Sequence, residues 1–169
     1  VSNNKLTDDL YEDYILGRFS ILMIVPTWRR KILDTIKLFD EHLQQSQDLD
    51  LYSRLIFDNN KMYYLPEVLI YVRRNNESIT TKNNYINIHT DSFLEVKKRI
   101  INRTPNNKAI KDFNIKLVLW LFRYNLSGKK YPESDKCLKF VFNQSNNESI
   151  FYKMKIMRIS VFYKIFKFR

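Results

Sequence analysis

One change of pattern divides this chain and constrains its fold. Up to Arg74, short β-branched and aromatic runs alternate with helical stripes; beyond Tyr85 every periodic segment carries the helical period, with Pro- and Asn-containing breaks between. In the first part, residues 19–25 form a continuous apolar run ending at Pro26, which reads as a buried strand stopped by a residue that cannot donate to a ladder. Ile32, Leu33, Ile36 and Phe39 recur at helical spacing and predict a short amphipathic helix over 28–39 with a basic opposite face. Leu49, Tyr52, Leu55 and Ile56 resume that stripe with Ser46 placed as its cap, so a polar loop delivers Asp48 to a helix start. After the turn signal Asn59-Asn60, residues 62–65 and 68–72 read as two edge strands interrupted by Pro66. The second part predicts helices at 87–102, 108–126, 134–143 and 149–167. The expectation is therefore an α/β region over 1–80 and a mostly α-helical region over 81–169.

Composition narrows the function classes. A chain of 169 residues can bury a core without staples, at about 68–70% of its unfolded surface. Cys137 is the only cysteine, which excludes an internal disulfide, leaves no cysteine-based zinc set, and fits a reducing cytoplasm. His42 and His89 stand alone, without a second ligand at metal spacing. The longest apolar runs, 21–25 and 117–122, are far short of the ~20 residues that span a bilayer. The N-terminus has neither the basic start nor the apolar stretch of a signal peptide. A net charge of +11 suits a polyanion as partner: nucleic acid, lipid headgroups or a nucleotide sugar. With only two glycines there is neither a G-x-G-x-x-G nor a P-loop pattern, so any nucleotide would find its main cradle elsewhere.

Several short pieces follow one another over residues 27–80. Arg29-Arg30 opens a helical stripe, Phe39-Asp40-Glu41 forms a turn, and Gln47-Asp48 opens a helix carrying Leu51 and Arg54. Tyr64-Leu65-Pro66-Glu67 and Tyr71-Val72-Arg73-Arg74, followed by Ser78-Ile79, complete the order. This succession resembles the second half of the catalytic domain of family 2 glycosyltransferases. The resemblance implies an incomplete GT-A-type domain, its acceptor-side half, within an α/β fold. It implies transfer of a sugar, with inversion, from a nucleotide diphosphate sugar to the hydroxyl of a sugar or lipid-linked acceptor.

In that family the position of Asp48 is the catalytic base. The attacking hydroxyl must lose its proton as the new bond forms, and a carboxylate within hydrogen-bond reach can accept it. Gln47 stands where most members carry Glu, Leu38 where many carry Gly, and Asn75 where a His commonly follows the paired arginines. Arg73 and Arg74 are candidates to neutralise the leaving diphosphate, one at most reaching the site because successive strand residues point to opposite faces. Trp28 and Trp120 lie on apolar stripes and are expected to pack, with Thr27 and Trp28 near the strand end placed to touch an acceptor. Asp48-Leu49-Asp50 spells a D-x-D, but it follows a polar loop where the family's metal motif ends a hydrophobic strand, so no metal ligand is assigned here. Asp50 is expected to face solvent or to pair with Arg54 four residues on. A divalent Mg or Mn and the nucleotide would be held mostly by an N-terminal half that these residues do not include, and the chain alone is expected to be inactive.

The C-terminal stretch interleaves Lys155, Arg158 and Lys164 with Ile156, Ile159, Phe162, Tyr163 and Phe166 in the manner of an interfacial helix. It would suit an anionic membrane surface and a place on the inner face of the membrane, or equally a helix packing its stripe on its neighbours. Two other classes remain open: a membrane-surface helical adaptor without catalysis, and a nucleic-acid binder. The latter is disfavoured, and no nucleic-acid partner is assigned, because the basic residues are dispersed and no DNA- or RNA-binding signature occurs.

Overall fold

The computed structural model describes residues 7–58, 61–63, 65, 67–71, 89–144, 158, 162–163 and 165. Among the described residues, six helices follow one another in chain order: α1 (Leu10–Ile15), α2 (Arg30–Leu33), α3 (Gln47–Phe57), α4 (Thr90–Arg103), α5 (Lys108–Ser127) and α6 (Tyr131–Gln144). The chain separates into two compact units, Val1–His89 and Thr90–Arg169.

In the first unit α1 packs against α3. Asp9 caps α1, its Oδ1 accepting from the Glu12 N–H at 2.8 Å. Gly17 ends it in the left-handed region, φ 72°. There its N–H reaches the Tyr14 carbonyl at 3.1 Å while the Arg18 N–H reaches that of Asp13 at 2.9 Å, a Schellman closure that a Cβ would strain. The buried Asp13 carboxylate accepts from the Thr7 N–H (2.6 Å), the Thr7 hydroxyl (3.0 Å) and the Arg18 guanidinium. Burial alone would raise its pKa, but the Arg18 and Thr7 hydrogen bonds outweigh that and hold it below the ordinary carboxylate value. Leu51, Tyr52, Leu55 and Ile56 of α3 join Tyr11, Tyr14 and Ile15 of α1 in the core. Replacing the fully buried Leu55 by Ala is expected to cost ~3 kcal/mol.

The second unit is built on α4, α5 and α6, each packed on the other two. Its core is Val96, Ile100 and Ile101 from α4, Ile110, Ile115, Val118, Leu121 and Phe122 from α5, and Cys137, Leu138 and Val141 from α6. Asn107 caps α5 through a 3.0 Å bond from the Ile110 N–H. A second Schellman closure ends α5: Lys129, at φ 56°, donates to the Leu126 carbonyl, and the Lys130 N–H to that of Asn125 at 2.8 Å. The chain turns directly into α6. Of the C-terminal stretch, Tyr163 is buried with its ring edge-on to Phe122 at 5.3 Å and its hydroxyl donating to the Tyr131 carbonyl at 3.2 Å. Arg158, Phe162 and Ile165 are exposed, and the rest of the predicted helix 149–167 lies outside the described residues.

The α/β expectation, and with it the GT-A-type domain, is overturned. Among the described residues 60% are helical and none is in a strand. The predicted strand 19–25 contains a turn instead, with the Val25 N–H donating to the Leu22 carbonyl at 3.0 Å. The described residues of the predicted strands 62–65 and 68–72 have no ladder partner. β-branched residues favour an extended pleated surface, but a strand exists only when a second one accepts its backbone bonds. The predicted helix 28–39 shrinks to the single turn α2, because its stripe finds no cover: Ile32, Leu33 and Ile36 stay half-buried and Phe39 is exposed.

Candidate functional site

A cleft of about 690 Å³ opens beside the N-terminus of α3, lined by Met23, Phe39, Asp40, Glu41, Leu43, Gln45, Ser46, Gln47 and Asp48. Its wall before the helix is a chain of local turns. Asp40, largely buried, accepts the His42 N–H on Oδ1 at 3.1 Å, and its carbonyl accepts the Leu43 N–H at 3.0 Å. Leu43 plugs into the core and its carbonyl accepts from Gln47 Nε2 at 2.6 Å. Gln45 Oε1 accepts the His89 N–H at 2.7 Å. Ser46 precedes the helix with φ 65°, a left-handed conformation unusual for serine, and its side chain makes no capping bond. The expected serine cap is thus absent, its carbonyl alone accepting the Asp50 N–H at 3.0 Å.

Asp48 sits in the first turn of α3, half-buried. Its Oδ1 accepts the Leu49 N–H at 2.8 Å, and Oδ2 has no hydrogen-bond partner among the described residues. Behind it lie two tyrosines. Burial first, then the Asp48 charge and Tyr52, push the Tyr14 hydroxyl well above the usual phenol range. Burial and Asp48 raise that of Tyr52 in the same way. Both remain protonated at neutral pH, and Tyr52 uses its proton to bond the Met23 carbonyl at 3.2 Å.

The second acid of the Asp48-Leu49-Asp50 triplet does not enter the cleft. Asp50 is buried, which corrects the solvent-facing alternative, and pairs with Arg54 Nε at 3.1 Å. Arg54 also donates from Nη1 to the Lys37 carbonyl and from Nη2 to the Leu38 carbonyl at 2.6 Å. One guanidinium fork thereby fastens the end of the 34–39 segment to α3 and sets where Asp40 and Glu41 emerge.

Of the residues expected at the site, Asp48 and Gln47 line the cleft together with Asp40 and Glu41. Gln47 has its amide N–H₂ committed to Leu43, so it acts first as a brace of the loop. Thr27 is exposed and Trp28 half-buried, and neither lines the cleft. Trp28 instead lays its ring on Tyr52, one helical turn after Asp48, at 5.7 Å and 33°, with a buried Nε1 that has no acceptor among the described residues. Trp120 does not pack as expected: it is about half exposed on α5 and stacks on Tyr124 at 5.8 Å. Arg73, Arg74 and Asn75 lie outside the described residues. Among the described residues no group of three or more His, Cys, Asp or Glu is arranged to hold a metal ion. The resemblance assigns no metal ligand to these residues, and no step is routed through a divalent ion. Sequence reasoning missed Tyr14 and the anchoring role of Arg54. The first was hidden in an acidic N-terminal stretch not read as helix, and the second depends on carbonyls 16 and 17 residues away.

Comparison with protein-family models, with curated protein sequences and with solved structures finds no match to this chain. No helix of the described residues is long and apolar enough to cross a membrane.

Proposed function

We propose that the chain supplies the base-bearing, acceptor-side wall of a sugar-transfer site, the nucleotide being held outside these residues. The observation that supports this reading is that Phe39-Asp40-Glu41 and Gln47-Asp48, the two acidic pieces on which the family resemblance rests, line one cleft. The reading rests on that cleft chemistry and on the resemblance, and requires no GT-A sheet.

In the proposed step an acceptor hydroxyl in the cleft attacks the anomeric carbon of the donor sugar. Its O–H bond breaks as the C–O bond forms, the proton passes to Asp48 Oδ2, and the bond to the diphosphate breaks with its electron pair leaving on the nucleotide. Asp48 suits the task because one oxygen is fixed by the Leu49 N–H and the other is engaged by none of the described residues. The Tyr14 and Tyr52 hydroxyls lie behind it as neutral dipoles that do not compete for the proton.

The test is transfer of labelled sugar from nucleotide diphosphate sugars by the protein expressed from its full reading frame. Asp48→Asn is expected to lower the rate ~10²–10⁴-fold with circular dichroism unchanged. Undiminished transfer by that variant sinks the assignment of Asp48, and absence of transfer in the unsubstituted protein with any nucleotide sugar sinks the reading as a whole.

A further inference from the structure

We propose that the turn at 22–25, with the basic stretch at 29–31, is a docking surface for an anionic lipid bilayer. Leu22, Met23, Ile24 and Val25 are consecutive and each is more than half exposed. They are held as a tip: the Val25 N–H closes the turn on the Leu22 carbonyl at 3.0 Å, and the Tyr52 hydroxyl fastens the Met23 carbonyl to α3. Four adjacent large apolar side chains on a braced turn are not the scatter of single apolar residues that ordinary protein surfaces show. Beyond Pro26 come Arg29, Arg30 and Lys31, all exposed. Arg30 faces Asp34 at 3.5 Å with both heads largely in water, while Arg29 and Lys31 have no acidic partner among the described residues. Such an exposed pair is weak and leaves the stretch cationic.

Charge and apolarity together select the occupant. A nucleic acid would answer the three cations and leave the tip in water; an apolar protein groove would take the tip and leave the cations unmatched. Anionic lipid answers both, with acyl chains receiving the tip and headgroup phosphates the guanidinium and ammonium groups. Met23 belongs both to the tip and to the cleft lining, so docking brings the cleft to the lipid surface, where a lipid-linked acceptor would be presented. That last consequence rests on the transfer reading; the docking itself does not.

The test is co-sedimentation of the full chain with vesicles of phosphatidylcholine alone and with phosphatidylserine added. Binding is expected only to the anionic vesicles and to weaken with salt. Replacing Arg29 and Lys31 by Gln is expected to lower the partition coefficient about fivefold per charge, and Ile24→Asp to lower it further. In Ile24→Cys, labelled there with an environment-sensitive fluorophore while the buried Cys137 stays unreactive, the emission is expected to shift to the blue on anionic vesicles. Binding that survives these substitutions, a label at position 24 that keeps its aqueous emission on bound vesicles, or binding to RNA in preference to vesicles overturns the proposal. Asp48→Asn is expected to leave vesicle binding unchanged, so failure of the transfer reading and failure of this surface are seen in separate measurements.

Discussion

Lys97 shows what one side chain can be made to tolerate. It lies on α4 only 5% exposed, its ammonium 5.1 Å from the centroid of the Phe93 ring, with no carboxylate partner among the described residues. Burial disfavours the charged form and brings its pKa from 10.5 down to about 8. The folded value lies below the unfolded one, so between these two pH values the unfolded chain binds more protons and stability rises with pH. Below about pH 8 the folded protein carries the full burden of a desolvated charge, partly offset by the ring. Lys97→Met keeps the apolar stem and removes the charge. It is expected to raise stability at pH 7 by up to ~3 kcal/mol, an advantage that shrinks as pH rises toward 10.5. Denaturant unfolding of both proteins across that range checks the sign as well as the size.

At the scale of elements, local and non-local forces divide what could be read in advance. Helices near 108–126 and 47–57 announce themselves because their apolar stripes are periodic. The Asp50–Arg54 pair is equally legible, being a matter of four-residue spacing. The strands read at 19–25, 62–65 and 68–72 failed because β-branched content measures a preference, whereas a ladder requires a second strand that no local pattern specifies. The site divides in the same way. Asp48 at a helix start could be seen, but the guanidinium that bonds the Lys37 and Leu38 carbonyls could not. That fork gives a prediction about an element: Arg54→Lys keeps a charge for Asp50 and loses the planar geometry that reaches two carbonyls. It is expected to destabilise the first unit by ~1–2 kcal/mol and to speed amide exchange in the 40–43 turns, while exchange in α5 stays unchanged. Equal acceleration everywhere would mean that Arg54 supports the unit at large and not this loop.

Across the whole molecule, order is unevenly distributed. The second unit closes a core mainly from three helices, α5 being the longest described helix at 20 residues. The first unit leaves Leu22, Met23, Ile24 and Val25, and then Tyr63, Leu65, Val68, Leu69 and Tyr71, in contact with water. Among the described residues, hydrogen exchange is expected to be slowest in the middle of α5 and fastest in 19–28 and 67–71, since protection follows buried, hydrogen-bonded backbone. Comparable protection in those segments would mean that they acquire a partner in solution. The solitary thiol adds a chemical clock to this picture. Cys137 is fully buried on α6, accepts from Asn125, and has its pKa pushed up to about 11 by burial, so at neutral pH it offers an alkylating reagent neither access nor thiolate. Alkylation therefore requires an opening that exposes α6, and at maleimide concentrations where alkylation outruns reclosing the rate at which the thiol is consumed is the rate of that opening.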